Sequence, residues 1–249
     1  MDLTILRYDS IGSTNSEAAD QARRGADEGL CIIAREQTAG RGRYGRTWVS
    51  DKDAGLYLSV VLRPRLEQKY LPVITLMAGV AVHDALAELG VEPDIKWVND
   101  VLVKEKKVCG ILAEAVETER GIAVIVGIGI NLTSGNFPPE IAQTATSIVT
   151  ETGTLISADE LAESVCRHLI HFYELTETVA GPAKIIEQWS IRSSYFSGKP
   201  VRVTLNDEVF DGVSDGLEQN GALRIRTPDG SIRIVQAGDV ERLRAGSES

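Results

Sequence analysis

The spacing of apolar positions changes several times along the chain, and each change marks an element. Residues 3–8 read as a short strand, and Thr14 with Glu17 has the capping-box pattern that opens a helix ending near Gly25. Residues 29–36 (GLCIIARE) and 56–62 (LYLSVVL) are apolar runs of strand length, and the Gly- and Arg-rich stretch between them has no period. A loop therefore joins two strands. Residues 70–89 place Val80, Val82, Leu86 and Leu89 at helical spacing and stop at Gly90. Three extended segments follow, at 94–103, 107–116 and 122–131. Ser157 with Glu160 forms a second capping box before a helix to about Glu177, and Pro182 suits the first turn of another. From Gly198 the pattern shifts to short alternating strands, VRVTL, EVFDGVS, ALRIRT and IRIVQ, with Gly- and Asp-rich turns between them, which predicts a small barrel. The expected division is a large domain over residues 1–197 and a small one over residues 198–249.

Composition narrows the class. A chain of 249 residues, 43% hydrophobic and 25% charged, can bury a substantial core. The N-terminal MDLTILRYDSIG has no basic n-region, and no stretch approaches the roughly 20 apolar residues of a membrane span, so a cytoplasmic location without a membrane partner is expected. Cys31, Cys109 and Cys166 are odd in number and sit in apolar segments, which predicts buried thiols rather than a disulfide framework or zinc site. His83, His168 and His171 fall in predicted helices without metal-ligand spacing, so no metal ligands are assigned. The formal net charge of -10 opposes binding of nucleic acid, whose phosphates need a concentrated positive surface. One exception is local: three arginines lie within residues 41–46, a density that suits a small anion.

Three segments carry candidate chemistry. In AGRGRYGRTW, Gly40, Gly42 and Gly45 match the spacing G-x-G-x-x-G, but a strand follows instead of a helix and arginines interleave the glycines, so the dinucleotide-binding reading fails. The glycines let backbone N–H groups approach an anion, and Arg41, Arg43 and Arg46 supply forked donors, as in a phosphate clamp. A solvated hairpin turn is the competing reading, and it has little use for so much arginine. In IKWVNDVLVKEKKVCGILAE, Asn99 and Asp100 mark a turn. Lys107 borders the apolar run VCGIL, either solvated or as a point charge facing a carboxylate or phosphorus centre. In VIVGIGINL, Gly127 and Gly129 interrupt a strand that Asn131 ends, either as a bulge or where a ligand comes close.

With IGSTNSEA at residues 11–18, these segments resemble, in order, the catalytic domain of biotin protein ligases, over about residues 5–245. The most specific part is GRGRYGRTW, because lipoate ligases and octanoyltransferases share the fold and a lysine but lack this loop. The family commonly has KWPND where this chain has KWVND; Val98 removes no chemical group. The resemblance implies an α+β fold: a mixed-sheet catalytic domain of the class II aminoacyl-tRNA synthetase-like, biotin-lipoate ligase type, followed by an SH3-like β-barrel. It implies that biotin is activated by ATP, with Mg2+ in the substrate complex, to biotinyl-5'-AMP. The biotinyl group would then pass to a lysine of a biotin carboxyl carrier protein, with no tightly bound prosthetic group.

Residue by residue, the resemblance implies that Ser13, Thr14, Asn15 and Gln37 form the biotin head site and that Gly40 and Arg41 belong to the loop closing over it. Gly110, Leu112 and Gly127 correspond to the pocket wall, and Lys107 to the lysine near the biotin carboxylate and α-phosphate. Arg43 and Arg46 would meet the nucleotide phosphates and Trp48 the adenine, with Asn131 on the phosphate side. Asn99 and Asp100 correspond to nucleotide contacts and a contact to the acceptor lysine. Lys107, Arg43 and Asp100 are thus the candidate catalytic residues.

The alternative is a lipoate or octanoyl ligase or transferase of the same fold. Strand alternation would put Cys109 on the same side as Lys107, where a thiol could act as an acyl nucleophile. A DNA-binding repressor is disfavoured because the first strand begins at Leu3, leaving no room for a preceding helix-turn-helix. A noncatalytic binding module gives no reason for Lys107, Asp100 and the arginine loop to occur together. Monomer and homodimer are both compatible with the sequence.

Overall fold

In the computed structural model, residues 1–135, 137–205, 208–236 and 238–242 are described. Seven strands form one mixed sheet: β1 (Thr4–Tyr8), β2 (Leu30–Ala34), β3 (Gly55–Leu62), β4 (Asp94–Lys96), β5 (Asp100–Val103), β6 (Lys106–Thr118) and β7 (Gly121–Asn131). Their order is β1-β2-β3-β7-β6-β5-β4, with β1 and β2 parallel and the remaining neighbours antiparallel. Strands β3 and β7 lie at the centre and are covered on both faces, which is why their sequences read as nearly unbroken apolar runs. Helix α1 (Thr14–Arg23) packs on one face, where Ala18 and Ala22 meet Ile32, Val61 and Ile125. Helices α2 (Val73–Glu88), α4 (Ala158–Thr176) and α5 (Gly181–Ser190) bury the other face in the main core.

A second, antiparallel sheet follows, made of β8 (Ser197–Leu205), β9 (Glu208–Leu217), β10 (Leu223–Arg226), β11 (Ile232–Val235) and β12 (Asp239–Arg242) in the order β11-β10-β9-β8-β12. It corresponds to the SH3-like module expected from the alternation after Gly198. It docks at the β4–β6 edge of the large sheet. The buried Trp97 donates its Nε1–H to the Gly221 carbonyl at 2.9 Å, and Glu105 accepts from the Tyr195 hydroxyl at 2.9 Å and from Lys199 Nζ at 3.0 Å. A buried indole N–H is favoured by such a partner, so Trp97 also ties the two sheets together.

Four sequence expectations change. The extended segment 94–103 is two strands, β4 and β5, paired as a hairpin whose turn carries Asn99. The cap of α1 is Ser13, whose Oγ accepts from Ser16 N–H at 3.4 Å, and Thr14 is already helical. Ser157 does precede α4, but its side chain makes no capping bond, and a short helix α3 (Ile148–Thr152) had no signal in the periodicity. Lastly, the helical stretch Gln68–Glu88 is by length and composition apolar enough to cross a membrane, contrary to the reading of the sequence. Its uniform apolarity follows from its place, since α2 is enclosed between the sheet and helices α4 and α5 and has little solvent face to mark with polar residues.

Candidate active site

The site begins with side-chain alternation on two neighbouring strands. On β7, Ala123 and Ile125 face α1, and the same face continues as Gly127, Gly129 and Asn131; on β6 it runs from Val116 through Glu114 and Leu112 to Gly110. Gly110 pairs with Gly129, and Leu112 with Gly127. Half of this face is therefore covered by α1 and half is paved with glycine. A Cβ at Gly127 would lie 2.0 Å from Asn15 Oδ1, one at Gly129 2.4 Å from Trp48 Nε1, and one at Gly110 2.8 Å from the Trp48 ring. Glycine is needed where other groups approach the strands this closely. Above the floor lies a cavity of about 900 Å³.

One end of the cavity is a dense polar cluster. Gln37 Oε1 accepts from the Thr14 N–H at 2.8 Å and the Thr14 hydroxyl at 3.0 Å, while Gln37 Nε2 donates to Ser50 Oγ at 2.8 Å. Asn15 Nδ2 donates to the Leu112 carbonyl at 3.2 Å and to Glu114 at 2.9 Å. Ser59 Oγ, wholly buried on β3, lies 2.6 Å from Asn15 Oδ1 and 2.7 Å from Thr14 Oγ1. Donors and acceptors thus alternate around a small space bordered by Ser13, Thr14, Asn15 and Gln37.

The other end is ionic. Lys107 Nζ is 2.6 Å from Asp100 Oδ1, and Lys96 Nζ is 3.3 Å from Oδ2. Burial pushes the Asp100 carboxyl up, but the two lysines outweigh it and hold it below the usual carboxylate range. Lys107 reaches the pocket because the register against β5 shifts between Val101 and Leu102, which breaks the alternation around Val108. Val108 and Cys109 both enter the core beside Ile111. This overturns the expectation that Cys109 shares a face with Lys107: the thiol is fully buried, and burial pushes its pKa up, away from a nucleophilic thiolate.

The glycine–arginine loop is a small hairpin. Trp48 N–H donates to the Gly40 carbonyl at 3.0 Å and Gly42 N–H to the Arg46 carbonyl at 2.7 Å, with a single-turn 3-10 segment at Arg43–Gly45. Tyr44 and Gly45 hold φ of 55° and 71° in that turn. Arg41 pairs with Glu114 at 2.5 Å, and Arg43 donates to Asn99 Oδ1 at 3.1 Å and lies over the Tyr44 ring. Trp48 rests on the glycine floor with Lys107 Nζ 5.4 Å from its ring centre, and its buried Nε1–H has no acceptor among the described residues. Arg46 lines the cavity and, with Arg43, Lys96 and Asn99, a polar side recess of about 130 Å³. The lining carries six cationic side chains (Arg41, Arg43, Arg46, Lys96, Lys107, Arg202) against the carboxylates Asp100 and Glu105, so the cavity favours anions within an acidic protein.

Every residue that the resemblance assigns to the site lines this cavity except Gly40, where a Cβ would come 2.3 Å from the Trp48 carbonyl; Gly45, at the hairpin turn, and Cys109, in the core, do not line it either. Asn131 reaches the wall and donates to the Thr146 carbonyl at 2.9 Å. Sequence reasoning missed Phe137, Ile141, Thr144 and Ala145, which form a strap over the ionic end. The Lys107 backbone holds that strap, donating to Thr144 O at 2.7 Å and accepting from Thr146 N at 2.9 Å. Their stretch has neither period nor motif. Arg202 was missed because it comes from beyond the expected domain boundary, and Tyr195 because it sits in the connection just before it, far along the chain from the three motifs. Ser59 did leave a signal, as the one polar residue inside LYLSVVL.

Comparison with known proteins supplies the context. Residues 9–131 match the biotin/lipoate A/B protein ligase family, and residues 196–243 match the biotin protein ligase C-terminal domain. The chain is 34% identical to the biotin--[acetyl-CoA-carboxylase] ligase of Paracoccus denitrificans, over 92% of this chain and 96% of that protein. It is also 34% identical to the bifunctional ligase/repressor BirA of Bacillus spizizenii, over 95% of this chain and 73% of that one. The biotin protein ligase of Aquifex aeolicus, solved in complex with biotin and ATP, superposes with a TM-score of 0.84 at 28% identity, over 96% of this chain and 99% of that one.

Proposed function

The chain belongs to the biotin protein ligase family, and from that premise we propose how its own residues activate biotin with ATP and transfer it to a lysine of a biotin carboxyl carrier protein. The observation that carries this reading is the pairing of a polar head site with a cationic, lysine-bearing end across a glycine floor. The alternating donors and acceptors of Thr14, Asn15 and Gln37 suit the ureido ring of biotin. A simple acyl chain would offer this polar cluster neither a donor nor an acceptor. Gly127, next to the head site, lets biotin come close to the strands with its carboxylate toward Lys107, while Gly110 and Gly129 seat the Trp48 indole.

Two half-reactions follow. A biotin carboxylate oxygen bonds to the α-phosphorus of ATP as the bond to the pyrophosphate oxygen breaks; Lys107 and the arginines offset the repulsion between the two anions. ATP enters as its Mg2+ complex, with the metal carried on the phosphates. The strap at Phe137 and Ile141 and the Trp48 indole provide apolar surface for the adenine. In the second step the neutral amine of the carrier lysine attacks the acyl carbon, the acyl–phosphate C–O bond breaks as AMP leaves, and the proton shed by the attacking nitrogen passes to the departing phosphate or to water. Asp100, kept ionised by its lysines, positions that amine rather than storing a proton. The polypeptide divides for this purpose near Ser197, with Arg202 reaching back into the cavity. The carrier belongs to a biotin-dependent carboxylase, and the cytoplasm, where ATP is abundant, is the expected location.

ATP–pyrophosphate exchange tests the first half-reaction. Biotin should support exchange in the presence of Mg2+, whereas lipoate and octanoate should not; exchange with either of those acids at a comparable rate would overturn the assignment of the head site.

A further inference from the structure

Glu114 lies where the open floor of β6 gives way to the packing of α1, and no part of the mechanism above uses it. Its carboxylate is shared. One oxygen accepts from Arg41 Nη2 at 2.5 Å, the other from Asn15 Nδ2 at 2.9 Å. The bonds continue from there. Asn15 Oδ1 faces Ser59 Oγ at 2.6 Å, Ser59 Oγ lies 2.7 Å from Thr14 Oγ1, and the Thr14 hydroxyl donates to Gln37 at 3.0 Å. Gln37 donates to Ser50 at 2.8 Å, and the Ser50 hydroxyl donates to the Trp48 carbonyl at 3.1 Å. This polar chain leaves the glycine–arginine hairpin at Arg41, runs beneath the head of the pocket and returns to the hairpin at Trp48.

Its composition argues against accident. A wholly buried hydroxyl such as Ser59 in the apolar strand LYLSVVL is costly if unpartnered, so its hydrogen bonds are what make it tolerable there. Both Asn15 amide protons are committed, to Leu112 and Glu114, which fixes Oδ1 toward Ser59. The Arg41–Glu114 pair is about half and one-third exposed on its two sides, so water screens it, and it can hold the hairpin without locking it.

We propose that Glu114 is a positioning residue that latches the glycine–arginine hairpin over the pocket through Arg41, and that Asn15, Ser59 and Thr14 couple this latch to occupancy of the pocket head. The proposal rests on the reading of the cavity as a biotin and adenylate site. A head group that draws on Thr14, Asn15 or Gln37 reorganises the same bonds that orient Glu114, because members of a hydrogen-bonded chain polarise one another. Hairpin closure then follows the arrival of substrate, and the mixed anhydride is retained until the carrier arrives.

The test compares the wild-type protein with Glu114→Gln, Arg41→Ala and the double variant. Biotin-dependent pyrophosphate exchange and the rate at which preformed biotinyl-AMP escapes are both read. Glu114→Gln should speed escape by about tenfold, a larger change than in exchange, because a charge-assisted bond to a guanidinium becomes a neutral one. In the Arg41→Ala background the same substitution should change escape less than twofold, and Glu114→Asp, which keeps the charge but shortens the reach, should fall between wild type and Glu114→Gln. Escape from Glu114→Gln as slow as from wild type would overturn the latch, and so would an equal effect with and without Arg41, which would put the role in Asn15 alone. Absence of exchange in the wild-type protein would instead unseat the biotin reading itself.

Discussion

Asp100 shows how one side chain takes its character from its neighbours. Alone and buried, a carboxyl would tend to protonate; between Lys107 and Lys96 it stays ionised and in turn fixes the Lys107 ammonium over the glycine floor. Asparagine at this position could still accept a hydrogen bond from Lys107 but would offer the incoming lysine amine no charge. Asp100→Asn should therefore slow transfer of biotin from isolated biotinyl-AMP at least about tenfold more than it slows exchange. Equal losses in both half-reactions would reduce Asp100 to a counterion of Lys107. Cys109 makes the complementary point. One bulge at Val108 turns a residue two positions from the active lysine into core, and the thiol reading ends there.

At the scale of the element, β7 works as two strands in one. Its even positions, Val124, Val126, Ile128 and Ile130, pack into the main core, while its odd positions pass from α1 packing to bare floor at Gly127 and Gly129. The two glycines serve different ends of the pocket. Gly127→Ala would drive a methyl into the Asn15 amide and should raise the KM for biotin, whereas Gly129→Ala would displace the Trp48 indole and should raise the KM for ATP, each by about tenfold or more given the usual cost of ångström-scale misplacement. Steady-state kinetics with each substrate varied would check this, and a biotin defect in both variants alike would contradict the division of the floor. The hairpin at Gly40–Trp48 depends on the same surface, since its tryptophan rests there and its arginines face the cavity.

At the scale of the whole molecule, the helical layer is tied together by ion pairs beneath the sheet. Asp84 on α2 accepts from Arg192, just beyond α5, at 2.6 and 2.8 Å, and is 2.9 Å from His83 Nδ1. Burial pushes its carboxyl up, yet His83 and Arg192 together bring its pKa down to about 2. The folded value is depressed, so the stabilisation is full above the unfolded pKa near 4 and fades as pH falls through about 2. Asp84→Asn should lower the unfolding free energy by about 2 kcal/mol at pH 7, with the deficit falling to roughly half by pH 3. Denaturant titration at the two pH values measures it; an undiminished deficit at pH 3 would show that the carboxylate charge is not what Arg192 recognises.

Most of the strands, the long helices, the change of pattern at the second sheet and most of the pocket residues were legible in the sequence, because these depend on local periodicity, turn chemistry and one specific loop; the split of 94–103 into β4 and β5, and strand β12, were not. GRGRYGRTW announced an anion site within an acidic chain, and the glycines of VIVGIGINL announced a close approach. What approaches them is set by the three-dimensional fold: Asn15 from α1 at Gly127 and Trp48 from the hairpin at Gly129, partners more than 80 residues away in the chain. It also decided the face of Cys109, which a single bulge reverses, and the roles of Glu114, Ser59 and Arg202, whose neighbours come from other elements. The physical reason is the same in each case: period and propensity act over a few residues, whereas a buried polar group takes its meaning from whichever distant donor or charge the fold sets within about 3 Å of it.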